Sequence, residues 1–160
     1  MAEELTHVDS AGAARMVDVS GKQAVARLAV ASGVLRTTEE VVSLLRRDGL
    51  PKGDALATAR IAGIMGAKRT PDLVPLCHPI ALSGVVLDLH AEGSSVRITA
   101  TVRTTDRTGV EMEALTAVTV AGLTLHDMVK AVDPAATLDG VRVERKEGGK
   151  TGLWTRPEDR

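Results

Sequence analysis

The alternation of apolar and polar residues predicts several β-strands along this chain. Residues 16–19 and 24–35 are rich in Val, Leu and Ala with partial alternation, which is typical of strands. Residues 85–89 alternate well, and after turn residues at 92–94 the pattern returns over residues 96–102. The last two segments therefore predict a β-hairpin.

Three further segments carry the period of helices. A Thr-x-x-Glu capping box at residues 37–40 predicts a helix that starts there and stops at Gly49. A second helix is expected over residues 55–67. A longer one is expected over residues 114–132, where the Asp-Pro pair at 133–134 would close it.

The order of these elements predicts an α+β fold. Strands, two helices, a hairpin, a long helix and a last strand over residues 141–146 follow one another. Such an order is typical of an antiparallel sheet with helices packed on one face, and a ferredoxin-like arrangement fits it best. We expect a flexible N-terminal arm over residues 1–12 and a single domain over residues 13–160, with a glycine-rich tail from Gly148.

The composition limits what the core can contain. The 160 residues include no Phe or Tyr and one Trp, so the core must consist of Val, Leu, Ile, Ala and Met. Each of these side chains buries less area than an aromatic one, so we expect a second chain to cover part of the apolar surface. Compositional drift in a GC-rich genome explains the same lack equally well.

Charge and hydropathy exclude several classes of protein. The 20 basic and 21 acidic residues leave a formal net charge of −1, and nucleic acid is an unfavourable partner for such a chain without stacking aromatics. No apolar stretch reaches the roughly 20 residues of a membrane span. Acidic residues among the first twenty positions exclude the apolar core of a secretory signal. We therefore expect a cytoplasmic protein with no membrane partner.

Cys77 is the single cysteine, so the chain can form neither an internal disulfide nor a thiolate cluster for a metal. Cys77 and His78 lie between Pro75 and Pro79, which stiffen the segment. Neighbouring side chains of an extended segment point to opposite faces, so the pair does not predict a nucleophile with its base. Two interpretations remain: a buried cysteine beside a surface histidine, or a rigid frame that aims His78 at a ligand.

Charged residues of the long helix are further candidates for chemistry. Glu111 and Glu113 at its start are explained by the helix dipole, and they would share a face only in an extended chain. Asp127 and Lys130 share one face of the helix, where such a pair can be a surface ion pair. Asp127 interrupts an apolar run, however, which indicates that it faces a cleft.

Several cations lie in loops or at the ends of elements, where they can bind phosphate or complement helix C-termini. They are Lys52, Lys68, Arg69, Lys146 and Lys150. Residues 148–151 suggest a phosphate-binding P-loop, but Glu144 stands where its first glycine is required. The remaining histidines, which show no metal-ligand spacing, are His7, His90 and His126.

Eight short motifs occur in order along nearly the whole chain. They are Leu5-Thr-His-Val8, Met16-Val-Asp-Val-Ser20, Lys52-Gly-Asp54 followed by Ala57-Thr-Ala-Arg-Ile-Ala-Gly63, Ala67-Lys-Arg-Thr70, Leu76-Cys-His-Pro79, Thr108-Gly-Val-Glu-Met-Glu-Ala-Leu115, Asp127-Met-Val-Lys-Ala-Val132 and Gly148-Gly-Lys-Thr-Gly152. With these motifs the chain resembles the cyclic pyranopterin monophosphate synthase family, the MoaC type. Each motif alone is weak, but eight at close to the family's spacing are specific.

The resemblance implies a reaction and the residues that carry it out. Family members convert 3′,8-cyclo-7,8-dihydroguanosine triphosphate to cyclic pyranopterin monophosphate with release of diphosphate, as phosphorus–oxygen lyases of molybdenum cofactor biosynthesis. The implied catalytic residues are Asp127, Lys130 and Lys52. The implied substrate contacts are Leu76, Cys77, His78, Glu111, Met112, Glu113 and Lys68. Arg69 and the loop lysines Lys146 and Lys150 would stabilise the leaving diphosphate.

The resemblance also implies a ferredoxin-like fold and a homohexamer built as a trimer of dimers. It implies no redox cofactor and no protein-bound metal, while Mg²⁺ on the substrate diphosphate stays open. Pro71 and His126 depart from the family pattern, which has aromatic residues there, and neither is an implied catalytic position. A nucleotide-binding regulatory module and an oligomerisation scaffold are the alternatives, and neither would need the Asp127–Lys130 pair.

Helix geometry predicts that each site is shared between two chains. If Glu113 and Asp127 lie on one continuous helix, about 21 Å separates them, too far for both to touch one ring. Asp127 and Lys130 of one chain would then complete a site in its neighbour. That neighbouring site would hold Lys52, His78 and Glu113.

Overall fold

A computed structural model describes residues 6–50 and 52–158. Pro51, predicted to open a loop, and Leu5 of the first motif lie outside the described residues. The elements are β1 (Val25–Arg36), α1 (Glu39–Arg46), α2 (Ala55–Lys68), α3 (Thr70–Leu73), β2 (Leu82–Glu92), β3 (Ser95–Asp106), α4 (Glu111–Val129), β4 (Thr137–Glu147) and β5 (Trp154–Thr155). None of the described helices has both the length and the hydropathy to cross a membrane.

The five strands form one antiparallel sheet in the order β2-β3-β1-β4-β5. The long helix α4 packs on β1, β3 and β4, and α2 packs on β2 and on α4. The strands β1 to β4 with α2 and α4 follow the βαββαβ order of ferredoxin-like folds. The predicted α+β fold, with helices on one face of an antiparallel sheet, is therefore confirmed.

The buried face of the sheet follows from the two-residue period of its central strands. In β1, Ala29, Ala31 and Leu35 are fully buried against the helices. In β3, alternate residues from Val96 to Val102 are fully buried. Small and branched aliphatic side chains thus fill the space between sheet and helices.

The predicted hairpin is confirmed as β2 and β3. Glu92 pairs with Ser95, so Gly93 and Ser94 alone form the connecting loop. Gly93 has a φ of 58°, which a two-residue hairpin turn requires and which glycine adopts without strain.

The segment at residues 16–19, predicted as a strand, forms no regular structure, so that prediction is wrong. The Asp18 carboxylate accepts a hydrogen bond from the Ser20 amide at 2.8 Å, which turns the chain locally. The Val17 carbonyl accepts from a histidine ring and not from a neighbouring strand. The flexible arm expected over residues 1–12 stays a prediction, since residues 1–5 are outside the described chain.

The helix α1 starts one residue later than the capping box predicts. Thr38, not Thr37, is the N-cap, and its hydroxyl accepts a hydrogen bond from the Val41 amide at 3.2 Å. The Thr37 hydroxyl instead donates to Asp133 at 2.8 Å, which ties the end of β1 to the loop after α4. The local pattern assigned Thr37 to the cap, but a tertiary hydrogen bond to Asp133 holds its side chain instead.

The helix α4 starts and ends three residues earlier than predicted. It begins at Glu111, and the amides of Val132 and Asp133 close it by donating to the Val129 carbonyl at 2.9 Å each. The helix is continuous over 19 residues and contains both Glu113 and Asp127, so about 21 Å separates these two residues along it.

Small residues let α2 approach α4 closely. A Cβ at Gly63 would lie 2.9 Å from the Ala117 carbonyl oxygen, and one at Gly66 would lie 2.8 Å from a Val120 methyl group. Ala59 and Ala121 are fully buried in the same layer. The two helix backbones therefore pack at a distance that larger side chains at these positions would not allow.

We predict that Gly63→Ala destabilises the fold by about 1–3 kcal/mol, because the added methyl group overpacks the α2–α4 contact. Urea unfolding would measure the change. Gly84→Ala is the matched control, since its Cβ would meet no atom closer than 4.0 Å. Equal stabilities of the two variants would contradict the close packing of these helices.

Candidate functional site

A cavity of about 400 Å³ opens at the start of α4. Its wall is formed by the β3–α4 connection (residues 107–110), by the segment after α3 (residues 74–80) and by the N-terminal segment (residues 6–22). Six of the residues predicted to contact a substrate line it: Leu76, Cys77, His78, Glu111, Met112 and Glu113. Residues far apart in sequence are thus brought to one concave surface.

The N-terminal segment also contributes to this cavity. The His78 Nε2 atom lies 2.6 Å from the Val17 carbonyl oxygen. A carbonyl only accepts, so Nε2 carries the proton of this hydrogen bond. Arg107 anchors the same segment further along, since its Nε donates to the Lys22 carbonyl at 3.1 Å. His78 therefore has a structural contact on one ring nitrogen, and the other nitrogen is left for a different partner.

Eight residues of the wall were missed as site residues by the sequence reasoning. They are Thr6, His7, Val17, Val19, Lys22, Ile80, Thr108 and Gly109. Six of them belong to motifs of the family resemblance, which is the signal that could have found them. Lys22 and Ile80 lie outside these motifs, so no signal in the sequence indicated them. No signal indicated either that the N-terminal segment lies against the cavity.

Cys77 and His78 both line the cavity, although we expected them to face opposite ways. The segment before them is a turn, closed by a hydrogen bond from the Cys77 amide to the Val74 carbonyl at 3.1 Å, and not an extended strand. Burial raises the pKa of the Cys77 thiol, and the nearby charge of Glu113 raises it further. A thiol of this kind is a weak nucleophile, which agrees with the prediction that the pair is no nucleophile with its base.

Glu113 is the buried carboxyl of the cavity. It is 3% exposed, and its Oε2 atom has no hydrogen-bond partner among the described residues. Burial raises the pKa of Glu113 to about 7, and the charge of Glu111 adds to the effect. Near neutral pH the carboxyl is therefore present in both protonation states, so it can donate or accept a hydrogen bond.

Glu111 lies between the large cavity and a smaller pocket of about 80 Å³, and it lines both. Its carboxylate pairs with Lys146 of β4 at 3.2 Å. A Cβ at Gly109 would collide with this carboxylate, so a larger residue there would force the Glu111 side chain to move. Lys146 and Lys150 both line the smaller pocket, and their role with phosphate stays a prediction.

The three residues predicted to be catalytic form a second cluster. The Asp127 carboxylate accepts from Lys52 at 2.8 Å through one oxygen, and it pairs with Lys130 at 2.8 Å through the other. All three side chains are about half exposed. The hydrogen bonds from Lys130 and then Lys52 lower the pKa of Asp127 to about 2. This lysine–aspartate trio thus keeps its carboxylate ionised at neutral pH.

The trio and the cavity lie at opposite ends of α4, about 21 Å apart along the helix. Lys52 was expected on the cavity side of a shared site, and this placement is wrong, because Lys52 binds Asp127 of its own chain. Lys68 and Arg69, at the exposed C-terminal end of α2, line neither of these two pockets. One chain therefore presents two separate half-sites.

We predict that the free energy of unfolding falls as pH rises from about 4.5 to about 7. The reason is that the folded protein holds the Glu113 proton over this range while the unfolded chain releases it. The loss amounts to about 3 kcal/mol. Glu113→Gln keeps a neutral side chain, so urea unfolding across this range should show the extra loss only in the wild type. Parallel pH curves would contradict the raised pKa.

A family model and several similar proteins match nearly the whole chain. The model of the MoaC family matches residues 16–149. The cyclic pyranopterin monophosphate synthase of Streptomyces coelicolor is 70% identical over 96% of this chain and 91% of its own length. Cyclic pyranopterin monophosphate synthase 2 of Mycobacterium tuberculosis is 63% identical over 96% of this chain and 92% of its own. The cyclic pyranopterin monophosphate synthase of Corynebacterium glutamicum is 57% identical over 95% of this chain and 97% of its own length. The chain belongs to the MoaC family.

Proposed function

We propose that this protein is a cyclic pyranopterin monophosphate synthase of molybdenum cofactor biosynthesis. It converts 3′,8-cyclo-7,8-dihydroguanosine triphosphate to cyclic pyranopterin monophosphate and releases diphosphate. The observation that carries this proposal is the hydrogen-bonded trio of Lys52, Asp127 and Lys130. These are the three residues for which the family resemblance implies catalysis, and they meet in one cluster although 75 residues separate Lys52 from Asp127.

The cavity is suited to hold the ring system of the nucleotide. A volume of about 400 Å³ is within the range of small-molecule sites. Glu113 can donate and accept hydrogen bonds within it, and a bound ring would supply the partner that its Oε2 atom lacks among the described side chains. His78 and Cys77 add polar groups to the same cavity.

The trio is suited to proton transfer and to charge stabilisation, which a phosphorus–oxygen lyase needs. Asp127 is ionised at neutral pH, so it cannot be the proton donor of the trio. The ammonium groups of Lys130 and Lys52 are then the available acids. They also provide positive charge beside a leaving diphosphate, which stabilises the charge that develops on it.

The loop cations divide into two groups. Lys146 and Lys150 lie beside the cavity, where they can bind the phosphate end of a nucleotide held by its ring. Lys68 and Arg69 are exposed at the end of α2 and would contact a substrate only at a site completed by another chain.

We also propose that each complete site combines the cavity of one chain with the trio of a neighbour, in a hexamer built from dimers. The 21 Å between the half-sites supports sharing, because one nucleotide ring cannot reach both. Exposed apolar side chains on α2 and α4 support an oligomer. These are Ile61 (60% exposed), Met65 (51%) and Leu123 (67%).

Two further parts of the proposal come from the sequence alone. The protein acts in the cytoplasm, and it needs no redox cofactor and no metal of its own. The single cysteine leaves no thiolate cluster to bind one. Mg²⁺ carried by the substrate diphosphate is not part of the proposal.

We predict that Asp127→Asn and Lys130→Ala each lower turnover by about 10²–10⁴-fold, because a positioned acid or base is lost. Diphosphate release from the cyclised nucleotide would be measured, together with formation of cyclic pyranopterin monophosphate. Asp139→Asn is the matched control, since Asp139 also forms an exposed ion pair, with Arg36 at 2.8 Å. Near-normal turnover by a folded Asp127→Asn protein would contradict the catalytic role and favour a regulatory nucleotide-binding module.

We predict that a mixture of Asp127→Ala and His78→Ala chains regains activity after joint unfolding and refolding. Random pairing makes about half of the dimers mixed, each with one intact site of two, so about a quarter of wild-type activity should return. The control mixes Asp127→Ala with Lys52→Ala. Both residues belong to one trio, so every site would lack one of them. Recovery in the control, or none in the test mixture, would contradict the shared site.

A further inference from the structure

Arg27 of β1 lines the smaller pocket and not the large cavity, yet its side chain touches the segment that forms the wall of the large cavity. Its Nε donates to the Asp106 carbonyl at 3.0 Å, and its Nη2 donates to the Arg107 carbonyl at 3.1 Å. Asp106 is the last residue of β3, and Arg107 is the first residue of the connection to α4. One planar guanidinium thereby fixes two consecutive peptide groups, which a lysine ammonium on a flexible chain cannot do in the same way.

The third nitrogen of the Arg27 guanidinium faces the C-terminal tail. Gly148 and Gly149 have φ values of 93° and 74° and form a turn there. A side chain at Gly149 would collide with Nη1 of Arg27, and one at Gly148 would collide with the Ala26 carbonyl oxygen. The glycine turn therefore packs directly on Arg27, and it lies in the chain between Lys146 and Lys150.

The N-terminal segment is connected to Arg27 through one intermediate residue. The Arg107 side chain donates from Nε to the Lys22 carbonyl at 3.1 Å, while Arg27 holds the carbonyl of Arg107 itself. Three segments thus depend on the position of one guanidinium, two of them in the wall of the large cavity and the glycine turn in the wall of the smaller pocket. They are the β3–α4 connection, the glycine turn and the N-terminal segment.

We propose that Arg27 is a positioning residue for the substrate cavity. It holds the start of α4, with Glu111, Met112 and Glu113, in place through the Asp106 and Arg107 carbonyls, and it does not itself touch the substrate ring. This inference rests on the proposed function for its kinetic part. Because the trio lies at the other end of α4, loss of Arg27 weakens substrate binding and leaves the chemical step nearly intact.

The test compares Arg27→Ala and Arg27→Lys in the whole protein with the cyclised nucleotide as substrate. Both variants should raise KM about tenfold and change kcat by less than about threefold, because lysine keeps the charge but loses the paired donors. The control is Arg36→Lys at the other end of the same strand. Arg36 is in an exposed ion pair with Asp139, so this variant should match the wild type.

Two kinetic results would overturn the proposal. A normal KM in Arg27→Lys beside a raised KM in Arg27→Ala would show that only the charge matters, as in direct contact with phosphate. A lower kcat at normal KM in both variants would show only a loss of folded enzyme.

Hydrogen–deuterium exchange separates this inference from the proposed function. If the wild type does not convert the nucleotide, the proposed function is wrong. The hydrogen–deuterium exchange of the variants still tests whether Arg27 positions the cavity wall. Faster exchange in Arg27→Lys, confined to the N-terminal segment and to residues 107–113 and 148–152, would support the positioning role. Unchanged exchange, or a uniform increase that includes α2, would overturn it.

Discussion

The close approach of α2 and α4 is the contact on which both half-sites depend. Without aromatic side chains, the layer between these helices is filled by glycine, alanine and valine, and Gly63 lies against the Ala117 backbone. Because the helices pack so closely, the loop before α2 brings Lys52 within 2.8 Å of Asp127 near the end of α4. Glu113 lies one turn before Ala117 on the same helix, and it is buried there.

One helix thus carries two carboxyl groups in opposite environments. Glu113 is buried with an oxygen that lacks a partner in the described chain, so its pKa rises to about 7. Asp127 is exposed between two lysines, so its pKa falls to about 2. Different protonation states at one pH let these carboxyls perform different tasks, one as a hydrogen-bond donor and acceptor and the other as a fixed negative charge.

Much of the fold could be predicted from periodicity, because the alternation in β1 and β3 reflects burial of one sheet face. The errors occurred where a distant residue changed a local preference. Thr37 contacts Asp133 instead of capping α1, and Val17 contacts His78 instead of a strand. No local pattern contains such contacts, so they could not be predicted from the sequence.

The same limit applies to the site. Motifs assigned seven residues to substrate contact, and all of them except Lys68 line one cavity. The pairing of Lys52 with Asp127 was missed, because it depends on how two helices pack across 75 residues of chain. The role inferred for Arg27 was missed as well, since its partners are backbone carbonyls of another strand and not side chains with a recognisable motif.

The position of Trp154 has an optical consequence. It is the only aromatic residue of the chain, with no Tyr or Phe beside it, so it alone emits intrinsic near-ultraviolet fluorescence. Trp154 pairs with Lys146 across β4 and β5, and the Arg156 guanidinium lies 5.9 Å from the centre of its ring. The emission of the whole protein therefore comes from one place, the C-terminal hairpin beside the small basic pocket. Binding of an anion in this pocket can therefore be followed through the intrinsic fluorescence of Trp154, without an attached dye.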